Sequence, residues 1–246
     1  MRRLRDVFYI TANFNENYYI YYGMEFNEFV KYSPVKMENI LITDGSLTAN
    51  SFNGNWLLET AIGSEGILEL STEDIYGLGN FHWIDYKDEV SLNNCTAEEK
   101  AEVLYLSHFG KPLKSPFFSS IDNDFFYLSH DDGWFCKLFC KDMLVFKDII
   151  ANKIIDSFST NTRRKIYPMI EDIKNEIFEL TNKGLLIDFS NIYVDKNCIG
   201  LNFYTIGHYD DMDEMYNNLQ RNKNIASIKG SIEHKNKTWK IYIWDK

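Results

Sequence analysis

The sequence predicts an α+β protein: a strand-rich antiparallel first domain with two helices over residues 1–160, followed by a small α-β-β-α-β-β domain over 161–246. Three observations lead there. Aromatic residues make up 16% of the 246-residue chain, a composition suited to strands and thick sheet cores. Short apolar runs of strand length alternate with turn signals through most of the first 140 residues. One capping box and several runs at helical spacing then mark where strands give way to helices.

In chain order, Arg5 to Ala12 and Tyr18 to Tyr22 read as strands around Asn15-Glu16-Asn17, with the alternating tyrosines supplying core and cross-strand pairs. Phe26 to Tyr32 and, beyond Ser33-Pro34, Ile40 to Thr43 read as further strands. Trp56 to Ile62 and Ile67 to Leu70 flank Gly63-Ser64-Glu65-Gly66, a hairpin signal, and Phe81 to Tyr86 adds another strand. Thr96 with Glu99 three residues on is a capping box, so a helix is expected from there to about Phe109, with Gly110 as its stop.

Phe125 to Cys140 holds two apolar runs that meet at His130-Asp131-Asp132-Gly133-Trp134, and an Asp-Gly pair in that setting signals a hairpin. With Asp132-Gly133 as the loop, His130 pairs with Phe135, Leu128 with Lys137 and Phe126 with Phe139 on one, partly exposed face. Phe125, Tyr127, Ser129, Trp134, Cys136, Leu138 and Cys140 then form the core face. A helix from near Asp142 carries Met143, Phe146, Ile150 and Ile154 as the stripe that packs on a sheet. The polar stretch Ser159 to Thr162 marks the domain boundary.

Downstream, Pro168 suits a first helical turn, with Ile170, Ile173, Ile177 and Leu180 on one face and Gly184 as the cap. Strands are expected at Leu185 to Phe189, Ile199 to Ile206, Ile225 to Ile232 and Trp239 to Trp244, with a helix from Asp210 or Asp211 to Leu219 between the pairs. That order suggests helices on one face of a small sheet.

No apolar run reaches the roughly 18 residues that span a bilayer, so no membrane segment is expected. Cys95, Cys136, Cys140 and Cys198 lack Cys-x-x-Cys or zinc-finger spacing and read as reduced thiols of a cytoplasmic protein. The net charge of −10 is unevenly spread: residues up to Thr160 carry 13 basic against 24 acidic side chains, while the rest carry 13 against 12. An acidic first domain repels phosphate backbones, which disfavours nucleic acid and points to a basic, cationic or protein partner. The lysines after Arg221, at Lys223, Lys229, Lys235, Lys237 and Lys240, are expected to be solvated strand-edge residues.

Candidate chemistry gathers at the hairpin tip. His130 with Asp131 and Asp132 could be a base with its orienting carboxylates, and His82 or His108 could complete a metal site. No His-x-His or His-Glu-x-x-His spacing supports the metal, and no cofactor motif is present. His82, Trp83, Asp85 and Trp134 are the candidate ligand-binding residues. Plain turn chemistry at Asp132-Gly133 explains the tip without any function.

Gly77 to Asp85, Thr96-Ala97-Glu98-Glu99, Lys111 to Phe118 and Tyr127 to Trp134 together resemble a group of uncharacterised proteins from low-GC Gram-positive bacteria. The resemblance covers about a third of the chain. Some members carry an oxalate:formate antiporter label, which the hydropathy of this chain argues against. The resemblance brings no activity or site. The expectation is a binding or regulatory protein that recognises a protein or small ligand around the hairpin. The alternative is a metal-assisted or acid/base hydrolase at His130, Asp131 and Asp132.

Overall fold

The computed structural model describes residues 6–45, 49–72, 79–130 and 135–244. The chain opens with the hairpin β1 (Val7–Asn13) and β2 (Tyr18–Tyr22), then α1 (Phe26–Tyr32), β3 (Asn39–Asp44), β4 (Ser51–Asn53) and β5 (Leu58–Ile62). α2 (Gly63–Thr72), β6 (Phe81–Tyr86), α3 (Glu89–Asn93), α4 (Ala97–Phe109) and a second hairpin, β7 (Phe125–His130) and β8 (Phe135–Cys140), follow. α5 (Val145–Thr162) and α6 (Glu171–Leu180) lead into β9 (Leu185–Val194) and β10 (Cys198–Thr205). α7 (Met212–Asn217), α8 (Leu219–Ile225), β11 (Ile228–Lys235) and β12 (Thr238–Ile243) close the chain.

Among the described residues, the twelve strands form one sheet in the order β12-β11-β10-β9-β1-β2-β8-β7-β6-β3-β5-β4, with every neighbouring pair antiparallel. The protein is α+β, as the sequence predicts. The sheet passes through the expected boundary at Ser159 to Thr162, which falls at the end of α5. β1 joins the two parts by pairing Val7 to Ile10 with Asp188 to Leu185 of β9.

Helices cover both faces. On one face α1, α2, α5 and α6 bury a continuous core that runs from Phe8 and Tyr21 through Trp83 and Tyr127 to Phe203 and Trp239. On the other, α3 and α4 cover Leu41, Ile84, Phe126, Leu128 and Phe139, while Met212 and Met215 of α7 cover Val7, Tyr9, Ile20, Tyr22 and Leu186. The expectation of helices on one face of the second part is therefore corrected: α6 and α7 lie on opposite faces.

Two local expectations are also corrected. Phe26 to Tyr32 is a helix, because Phe26 and Phe29 repeat at helical spacing and the Glu28 carboxylate accepts the Glu25 amide at 3.0 Å. Gly63 to Leu70 is not a hairpin but α2, which buries Ile67 and Leu70 on one side. In both, apolar residues three apart satisfy a helix, and a core awaits that stripe.

The hairpin register is the one the period of two requires: Phe126 pairs with Phe139, Leu128 with Lys137 and His130 with Phe135. The face expected to be partly exposed is instead a second core, since Phe126, Leu128 and Phe139 are fully buried under α4. The cysteines are free thiols, three of them buried. No helix among the described residues is long and apolar enough to cross a membrane.

Candidate functional site

β3, β6 and β7 bring Asp44, His82 and His130 to one end of the sheet. Asp44 pairs with His82 across β3 and β6, and His82 pairs with Leu128, two residues before His130. The His82 and His130 rings meet edge to face, 4.8 Å between centroids. Above them the α4 capping box, Thr96 with Glu99, and the left-handed cap Gly110 set where the helix begins and ends. Lys137 steadies that end: its Nζ donates to the Gly110 carbonyl at 2.9 Å and lies 4.3 Å over the Tyr18 ring. This half-buried ammonium has its pKa lowered by desolvation.

His82 is 2% exposed. Its Nδ1 lies 3.2 Å from Ser107 Oγ on α4, and that hydroxyl donates to Thr43 Oγ1 at 2.9 Å. Because the Ser107 proton goes to Thr43, His82 Nδ1 is the donor in the contact with Ser107. Nε2 is buried and has no hydrogen-bond partner. Burial and then His130 push the pKa down to about 4, with Asp44, Ser107 and the Ser129 main chain offsetting part of the shift. The imidazole is neutral at physiological pH, in the form that accepts a hydrogen bond or binds a metal.

Trp83 and Asp85 project from β6 to the other face. Trp83 stacks on Tyr127 at 4.9 Å and 12°, inside the main core. Asp85 accepts the amides of Phe125 at 2.6 Å and Asp124 at 3.1 and 3.2 Å, so it anchors the start of β7. His82, Trp83 and Asp85 thus do not converge as a ligand-binding group. His108 is exposed in the last turn of α4, its ring 4.6 Å from Phe109. Asp131, Asp132 and Trp134 lie outside the described residues. Among the described residues, no three His, Cys, Asp or Glu side chains form a group that could hold a metal ion.

Burial raises the pKa of Asp85 to about 7 in spite of the two backbone amides that favour its charge. A carboxyl whose folded pKa lies above its unfolded value binds a proton more tightly when folded, so its contribution to stability falls as pH rises from about 4 to about 7. Asp85→Asn is expected to remove that part of the slope. Denaturant melts of both proteins at pH steps from 4 to 8 check this, and parallel curves would refute the assignment.

Several functional-looking groups escaped the sequence reading because their partners are distant in the chain. Lys153, in the apolar stripe of α5, pairs with Glu28 at 2.9 Å. Lys223, read as a solvated lysine, is buried and pairs with Asp188 at 2.6 Å. Tyr21, Ser129, Tyr127 and Cys136 share a buried polar cluster, while Trp83 buries an indole N–H that has no hydrogen-bond partner. An amide-sized donor left this way costs about 1–3 kcal/mol. Only the alternation of Tyr21, Ser129 and Cys136 with apolar residues hinted that polar groups would share a core face. Comparison of the chain with family models, with curated proteins and with solved structures returns no match.

Proposed function

We propose that this is a binding protein that recognises a protein partner with its acidic first part, at the end of the sheet where α4 meets His82 and His130. One observation carries the reading. The outer side of α4 exposes Leu104, Tyr105 and Phe109, with Leu113 just beyond the helix, at 37–59% of their surface. Tyr105 and Phe109 are one helical turn apart with rings 4.5 Å apart, a ready-made aromatic anchor. An exposed apolar stripe of this kind marks a protein interface more often than a catalytic cleft. The excess of acid over residues 1–160, 24 acidic against 13 basic side chains, favours a basic partner over nucleic acid.

Affinity capture from the native host with the intact protein, a Tyr105→Ser/Phe109→Ser variant and an Asp131→Asn/Asp132→Asn variant tests this, with circular dichroism to verify folding. The stripe variant is expected to lose a partner at least about tenfold, the scale of one interface anchor. An unchanged partner profile in that variant would sink the reading, and an unchanged profile in the other would remove the hairpin tip from it.

The contact of the half-buried His130 ring with His82, which Ser107 and Thr43 back in turn, favours a second reading, an acid/base hydrolase in which His130 accepts a proton from water. Turnover of an ester and phosphoester panel that falls with His82→Gln supports it. Elemental analysis of the purified protein separates the metal-assisted form.

A further inference from the structure

The strands of the second part are packed on one side and largely open on the other. The main core takes Leu201, Phe203, Ile232 and Trp239, while on the opposite face the α7 cluster reaches no further than Leu186 of β9 and Tyr204 of β10. The register sets Tyr193, Gly200, Glu233 and Lys240 in one row across that open face, then Tyr242 opposite Ser231, and Trp244 bonded to Lys229. Tyr193, Tyr242 and Trp244 are 38–42% exposed. A Cβ on Gly200 would lie 2.3 Å from Tyr193 Cζ, so that ring passes directly over the glycine. Glu233 holds it there, accepting Tyr193 Oη at 2.7 Å and the Cys198 thiol at 3.4 Å.

The end of the face beyond Tyr193 is basic. Arg164 Nη1 donates to the Asp195 carbonyl at 2.9 Å and the Asn236 amide to that of Asn197 at 3.3 Å, which draws residues 163–165, 195–197 and 235–237 together. Those segments carry Arg163, Arg164, Lys165, Lys196, Lys235 and Lys237, all exposed. Their one carboxylate, Asp195, is engaged in capping the Lys196 amide at 2.6 Å. Lys165 and Lys237 share the Tyr167 ring, at 5.5 and 5.6 Å from its centroid, so like charges are held close. The acid of the first part is remote from this end: its nearest strand, β1, is four strands from β12. That is about 19 Å, or roughly two Debye lengths at physiological salt.

We propose that the open face of β9 to β12 binds single-stranded nucleic acid, with bases stacked on Tyr193, Tyr242 and Trp244 and phosphates held by Lys240 and the basic end. Flat aromatic faces interleaved with cations are what unpaired bases on a charged backbone require. A duplex keeps its bases stacked on one another and offers these rings nothing. This surface is separate from the α4 stripe, which lies in the acidic first part, so either can fail without the other.

Fluorescence anisotropy of the whole protein with a labelled oligonucleotide of about twelve nucleotides tests it, in ribose and deoxyribose forms. Binding of either form supports the proposal, and the tighter one names the source. Tyr242→Ala and Trp244→Ala are each expected to weaken binding by about 5- to 150-fold. Lys237→Gln/Lys240→Gln should flatten the slope of log affinity against log salt by about 1.4. Circular dichroism melts verify that the variants fold. No binding at about 50 mM salt overturns the proposal. So do ring variants that bind as tightly as the wild type, a duplex of the same sequence bound equally well, or binding to phosphatidylserine vesicles in place of the oligonucleotide.

Discussion

Lys223→Met is expected to destabilise the protein by about 3–5 kcal/mol, because it leaves a buried carboxylate without its cation. Asp188 is 1% exposed and accepts Lys223 Nζ at 2.6 Å, Ser190 Oγ at 2.5 Å and Asn191 Nδ2 at 3.2 Å. Burial alone would raise the Asp188 pKa, but Lys223 and then Ser190 and Asn191 outweigh it and hold the carboxyl below its ordinary value. A depressed folded pKa gives stability that is present above the unfolded value and is lost as pH falls through the folded one. The wild type should therefore lose this contribution below about pH 4. In Lys223→Met the dependence inverts, because an unpaired buried carboxyl prefers its proton and the fold weakens as pH rises. Asp188→Asn/Lys223→Met should recover most of the loss, since removing both charges removes the desolvation penalty as well. Thermal melts across pH 3 to 8 read all three proteins, and a single variant as stable as the wild type at pH 7 would mean that the pair contributes nothing.

Gly184→Ala is expected to abolish cooperative folding or to cost at least about 3 kcal/mol. Gly184 follows the 3-10 turn Thr181–Lys183 with φ +67°, and a Cβ there would sit 1.7 Å from the Gly207 carbonyl oxygen. The approach is locked from both sides: Ile206 donates to the Gly184 carbonyl at 2.9 Å and Gly207 donates to that of Lys183 at 3.0 Å. No side-chain rotation relieves a clash between main-chain atoms. Gly79→Ala makes a control, because it shares a positive φ, +79°, but a Cβ there meets nothing within 4 Å. That control isolates backbone conformation, so a Gly184→Ala melt matching the Gly79→Ala melt would refute the steric account.

How much of this was legible follows from the range of the interactions. The capping box of Thr96 and Glu99, the stop at Gly110 and the cap at Gly184 are local, and each is where the sequence places it. The Phe126–Phe139 and Leu128–Lys137 pairs follow from alternation plus one turn. Phe26 to Tyr32 misled because a seven-residue aromatic run satisfies strand propensity until Phe26 and Phe29 are seen to share one side. Long range defeated the rest. Nothing in the spacing of His82 and Ser107, or of Asp188 and Lys223, tells that a helix will return over the strand to join them. The candidate site was half legible for the same reason: His82 and His130 were both singled out, and their meeting depends on β6 lying beside β7. Trp83 and Asp85 were grouped with His82 as neighbours in sequence, yet successive strand residues point to opposite faces.

The central position of β1 sets a timing problem for biosynthesis. One of its edges is filled by β2 almost as soon as both are made, but the other waits for Leu185 to Asp188 of β9. At ribosomal speeds of about 5–20 residues per second, that edge stands open for roughly 10–35 s. A nascent chain that offers Val7 to Ile10 unpaired for so long is a template for intermolecular strand addition. Holding chaperones that shield the emerging amino-terminal hairpin should therefore raise the yield of correctly closed sheet more than any agent acting after release.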